Sequence, residues 1–129
     1  MTGPFRRADV EPGLADRRGR LRRGRISEAL AAAALIAKGY LILGRNVKTR
    51  TGEIDIIAVR GKRLAFVEVK RRATGEEAES AITARQAARI RRAADSWLAQ
   101  RTRYHGYDLA FDVVLMVPRR WPRHIPDGL

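Results

Sequence analysis

Two acids and a lysine stand inside two apolar strand-like runs of the chain. GEIDIIAVRGKRLAFVEVKRR, residues 52–72, sets Asp55 inside EIDII and Glu68 and Lys70 inside FVEVK. Charge within an apolar strand costs free energy unless it is paired or hydrogen-bonded. Carboxylate oxygens are the ligands that Mg²⁺ and Mn²⁺ prefer, so two acids held together would form a site for a divalent cation. A lysine beside them would offset part of their charge.

The turn between the strands decides whether the three groups meet. Gly61-Lys62 suits a two-residue type II′ loop, with glycine at its first central position. Arg60 then pairs with Arg63. The same register sets Asp55 opposite Glu68 and Glu53 opposite Lys70, whereas a three-residue loop would shift it. Opposed residues share a face with Cβ atoms about 4.5–5.5 Å apart, and Lys70 projects from that face too. Facing carboxylates repel. A bound cation would relieve the repulsion, as would a retained proton or open solvent. Charges along one strand face are usually a solvated edge. Here the flanks are apolar enough for covered, central strands, which places the charges along a cleft.

Other elements must position this hairpin. The chain has 129 residues, 45% of them hydrophobic, which suits one domain with a real core. Residues 1–25 are Arg-rich and aperiodic and read as a mobile basic arm, able to become helical from Leu14 onward. Residues 26–117 form the core domain. A helix is expected over Ile26–Lys38, with Ser27 as a possible cap and Gly39 just past its end. Strands follow in YLILGRNV, EIDIIAVR and RLAFVEVKRR. A second helix spans Glu79–Arg101, with Trp97 in the core, and a strand spans Asp108–Val117. Residues 118–129, with three prolines, read as an irregular tail. The order is α-β-β-β-α-β, an α/β class.

Composition restricts function. Lys and Arg number 27 against 14 acids, a net charge of +13, which favours polyanionic partners, nucleic acid foremost. An anionic membrane surface is less suited, because no helix is strongly amphipathic with large apolar residues. There is no cysteine, so disulfides, thiolate metal sites and a cysteine nucleophile are excluded. The apolar run Ala29–Ala37 is too short to span a bilayer. No export signal is read, so a cytoplasmic location is expected. His105 and His124 read as isolated surface residues.

An acid followed by E-x-K at a strand end resembles the PD-(D/E)xK nuclease motif, with Asp55 and Glu68-Val69-Lys70 in its places. GEIDIIA, FVEVKRR, the upstream GRNVKTRTGEID and the downstream FDVV together resemble the small bacterial YraN family. That family is related to Holliday-junction resolvases and other restriction-endonuclease-like proteins. The resemblance covers about Gly24–Val117, and RHIPD in the tail is similar as well. It implies a restriction-endonuclease-like fold, a mixed sheet flanked by helices. It also implies an acid on the first helix joining the metal site, and Glu28 in GRISEALA matches. An acid near a helix start would be favoured by the macrodipole in any case.

The implied activity is Mg²⁺- or Mn²⁺-dependent endonucleolytic hydrolysis of phosphodiester bonds, in branched or junction DNA. Asp55, Glu68, the Val69 carbonyl and Glu28 would hold the metal. Lys70 would orient water or stabilise developing charge. Three departures stand out: Ile54 replaces the motif's proline, Gln86 stands where the family tends to have lysine, and Ala110 where an arginine often precedes the phenylalanine. The last two touch substrate contacts rather than the metal site.

Nucleic-acid contacts are expected from Arg85, Gln86, Arg89 and Arg92 on the second helix, with Lys48, Arg50, Arg71 and Arg72 extending the basic track. Nothing resembles a base-reading module, so DNA shape is the expected target. A homodimer would suit a four-way junction. The alternative is a nucleic-acid-binding protein that keeps the fold without catalysis.

Overall fold

Two helices enclose a five-stranded sheet in a computed structural model that describes residues 14–73 and 83–129. The elements are α1 (Leu14–Ala37), β1 (Leu41–Thr49), β2 (Gly52–Arg60), β3 (Arg63–Arg71), α2 (Ala84–Ala99), β4 (Asp108–Met116) and β5 (Arg123–Ile125), with a 3₁₀ turn at Thr102–Tyr104. The sheet order is β1-β2-β3-β4-β5. Only β3 and β4 run parallel, joined by the connection that carries α2. This is the expected mixed α/β architecture with one strand added.

α1 runs unbroken across Arg25, so Ser27 is a buried residue within the helix rather than its cap. Leucine and arginine between Leu14 and Arg25 are strong helix formers and carry the helix through Gly19 and Gly24. The first thirteen residues of the basic arm lie outside the described residues. The helix ends as its sequence indicates. Gly39 takes φ +93°, Tyr40 N–H donates to Leu35 O and Gly39 N–H to Ile36 O. This paired closure satisfies two of the last carbonyls and folds Tyr40 back onto Leu35.

α1 packs small residues on one sheet face. Ala31, Ala32 and Leu35 meet Ile56, Ala58, Ala65, Val67, Ala110 and Val114. α2 covers the other face, where Ile90, Ala93, Ala94, Trp97 and Leu98 meet Ile54, Ile57, Leu64 and Phe66. Trp97 sits edge-on to Phe66, with ring centroids 5.8 Å apart, and is core as expected. α2 starts later than the sequence suggests. Thr83 and Gln86 form a reciprocal capping box, which fixes the first turn at Ala84. Residues 79–82 of the expected helix lie outside the described residues.

The hairpin register is the expected one. Gly61 takes φ +60° and Arg60 pairs with Arg63. The tail, however, is not irregular throughout, because β5 pairs antiparallel with β4. The cause is Asp112, fully buried in β4. Its carboxylate accepts Nη1 and Nη2 of Arg63 at 2.6 and 2.9 Å, His124 Nε2 at 2.8 Å and Asp127 N–H at 2.8 Å. His124 is therefore no surface residue; its side chain is 3% exposed. His105 is exposed, as expected, and its ring bonds the Leu98 carbonyl at 2.8 Å. No helix among the described residues is long and apolar enough to cross a membrane.

Candidate metal and nucleic-acid site

The β2–β3 ladder pairs residues from Arg60–Arg63 out to Ile56–Val67 and stops one step short of Asp55 and Glu68. There the side chain replaces the backbone: Val69 N–H donates to Asp55 Oδ2 at 2.8 Å. The cause is visible in β2. Strict alternation would put Ile54 and Ile56 on one face, yet Ile54 packs under α2 and Ile56 under α1. Asp55 lies at this break. Its carboxylate turns toward the β3 backbone instead of standing on a regular face.

Three acids from three elements meet here. Asp55 is mostly buried, and its pKa is pushed from 3.8 up to about 7, first by burial and then by the negative charges of Glu68 and Glu28. The Val69 hydrogen bond and Lys70 pull the other way. Glu28, projecting from α1, has its pKa raised by burial. The positive charge of Arg45 and the neighbouring Asp55 side chain pull the other way. Lys70 Nζ lies 3.3 Å from Glu68 Oε1, and both side chains are largely covered. The structure thus brings together Glu28, Asp55, Glu68, Val69 and Lys70, as the sequence pattern requires. Arg45 is an addition that the pattern did not single out, although it lies in the GRNV stretch.

Neighbouring covered carboxyls favour sharing a proton or a cation over standing together as bare anions. The donor set, three carboxylates plus the nearby Val69 carbonyl, is chemically that of a hard divalent ion. The side chains are not drawn in around a point, however. Among the described residues no three histidine or acidic side chains stand close enough to hold a metal ion. Glu68 is turned to Lys70, and Asp55 to Val69.

The expected nucleic-acid residues fall into two groups. Arg85, Arg89 and Arg92 are exposed on α2, one stripe at spacings of four and three. Thr51 docks the β1–β2 turn beside them, its Oγ1 donating to Arg92 O at 2.8 Å and lying 2.6 Å from Ser96 Oγ. That contact sets Lys48 and Arg50, both exposed, against the same side of the molecule. Gln86 is committed otherwise, since its Oε1 accepts Thr83 N–H at 3.0 Å in the helix cap. Arg71 and Arg72 belong to a second region at the end of β3, where they line a groove of about 730 Å³ with Lys70, Arg119 and Arg120. Arg119 and Arg120 join this groove because β4 ends beside β3, which nothing in their sequence neighbourhood shows.

Residues 27–116 match the uncharacterised protein family UPF0102. A UPF0102 protein of Maricaulis maris is 52% identical over 102 residues, covering 79% of this chain and 80% of the relative. One from Methylorubrum extorquens is 48% identical over 122 residues, 95% of this chain and 94% of the relative. One from Rhizobium meliloti is 48% identical over 108 residues, 84% and 88%.

Proposed function

The chain belongs to family UPF0102, the YraN family, and on that footing we propose that it is a divalent-metal-dependent endonuclease that hydrolyses phosphodiester bonds in branched or junction DNA. The observation that carries the reading is the meeting of Glu28, Asp55 and Glu68 beside Lys70, where burial and mutual repulsion raise the Asp55 pKa to about 7. Such an arrangement is costly as a structural feature and useful as a cation site. Asp55, Glu68 and Glu28 would hold Mg²⁺ or Mn²⁺ together with the Val69 carbonyl. The ion would supply a polarised phosphate and a water of lowered pKa. Lys70 would face the developing negative charge. The net charge of +13 would gather the polyanion.

One observation favours a second reading, binding without turnover: the three acids do not converge on a point. A single experiment separates the two. Labelled junction, flap, duplex and single-stranded DNAs are incubated with Mg²⁺ or Mn²⁺ and wild-type protein, Asp55→Ala or Glu68→Ala. Metal-dependent cutting by wild type alone supports the nuclease. Binding without cutting in any metal, equal in all three proteins, supports the other reading. Cutting that persists in both variants identifies a contaminant.

A further inference from the structure

The groove at the carboxyl ends of the parallel strands β3 and β4 is distinct in character from the α2 stripe. Its described lining includes five bases, Lys70, Arg71, Arg72, Arg119 and Arg120, and no acid. Its remaining surface is largely apolar, with Leu30 from α1 and Val69, Met116 and Pro118 from the strand ends. Arg72 N–H donates to Met116 O at 3.1 Å, which ties the two strand ends together. A tight turn, with Arg119 at φ +66° and Arg120 N–H on Val117 O, presents the arginine pair. Trp121 follows directly and is 66% exposed, as no other described aromatic side chain is.

We infer that this groove binds an unpaired segment of single-stranded nucleic acid, with bases laid on the apolar surface and phosphates met by the arginines. Duplex DNA offers phosphates to arginines but hides its base faces. Only an unpaired segment has an apolar face for Leu30 and Met116 to cover, and the exposed indole of Trp121, one residue past Arg120, is available to extend such a stack. A volume of about 730 Å³ lies within the range of sites that enclose small ligands, which leaves room for nucleotides rather than a helix. The groove shares Lys70 with the acidic cluster, and Val69 lies in both. The inference deepens the proposed nuclease by naming unpaired strands, as at a junction or flap, as the part of the substrate it holds.

The test is made on the full chain in EDTA, where cleavage cannot contribute. Fluorescence anisotropy is read for labelled oligo-dT, oligo-U and a blunt duplex, with Leu30→Glu, with the double variant Arg119→Ala/Arg120→Ala and with Trp121→Ala. Leu30 is 46% exposed and the others are surface residues, so the fold should tolerate the changes, which circular dichroism checks. Each variant should weaken oligonucleotide binding by about tenfold and duplex binding by much less. The tighter of oligo-dT and oligo-U names the natural strand. Equal losses on strand and duplex, or no loss, overturn the inference. So does binding to phosphatidylglycerol vesicles that the variants abolish while leaving the oligonucleotides bound. Failure of cleavage elsewhere does not touch this result, and intact strand selectivity without cleavage would retire the nuclease alone.

Discussion

Asp55 and Val69 are joined side chain to backbone where β2 and β3 cease to pair: the carboxylate accepts the Val69 N–H at 2.8 Å, just past the last ladder pair, Ile56 with Val67. The strand end is held by the group proposed to bind metal, so that group's ionisation and the local fold are coupled. The Asp55 pKa is raised from 3.8 to about 7 in the folded chain. Below about pH 4 the group is protonated whether folded or not. Between about 4 and 7 the unfolded chain ionises it while the folded chain keeps the proton. Stability therefore falls as pH rises through that window and levels off above it.

Asp55→Asn keeps an oxygen for Val69 and removes the charge. Without metal it should match wild type near pH 4 and exceed it at pH 8 by on the order of 2–3 kcal/mol in urea unfolding. Equal pH profiles for the two proteins would show that Asp55 carries no such strain. Millimolar Mg²⁺ at pH 8 should raise wild-type stability and leave the variant unchanged.

The Glu68–Lys70 pair, at 3.3 Å, assigns the lysine a place beside the acids rather than in solvent. If Lys70 meets charge that develops only during bond breaking, Lys70→Gln should lower kcat on cleavable DNA by about 100-fold or more with little change in KM. A change in KM alone would make Lys70 a binding residue.

The sequence shows most plainly what local chemistry decides. Gly61-Lys62 sets the turn, and the turn sets the register of nine-residue strands on either side. Gly39 ends α1 for a similarly local reason. The break at Asp55 was not legible, because alternation in EIDII is regular and the change of face arises from packing two helices on opposite sides of one strand. β5 escaped as well. Prolines in the tail argue against a strand, but Asp112 recruits it across the sheet through His124 and the Asp127 amide. An acid inside the apolar DLAFDVVLMV was the available signal, of the same kind that marked Asp55.

Asp112 also differs from Asp55 in electrostatic sign. Despite burial, its hydrogen bonds to His124 and Arg63 and the Asp127 amide hold its pKa well below the usual carboxylate range. Its contribution is therefore full above the ordinary carboxylate value and is lost as pH falls below about 4. Asp112→Ala should cost about 3–5 kcal/mol, since Arg63 loses a bidentate partner and β5 its anchor. Urea unfolding measures the loss. Hydrogen exchange at His124 and Ile125 should rise first, and slow exchange there would refute the anchoring role.

The arginines of α2, with Arg101 just past its end, divide by what they touch. Arg91 lies over the Phe111 ring at 4.3 Å, and Arg101 over Trp97 at 4.6 Å while donating to the Trp97 carbonyl. These two serve packing. Arg85, Arg89 and Arg92 are exposed and aligned, which suits contacts with phosphates. Replacing any one of the three by Gln should weaken DNA binding across all sequences and reduce the slope of log K against log salt by about 1. Arg91→Gln and Arg101→Gln should leave that slope unchanged and cost about 0.5–1 kcal/mol of stability instead. Salt titrations of duplex binding for all five variants check the division. A slope change shared by Arg91 and Arg101 would mean that the whole helix surface meets the polyanion, and a slope unchanged in every variant would remove α2 from the interface.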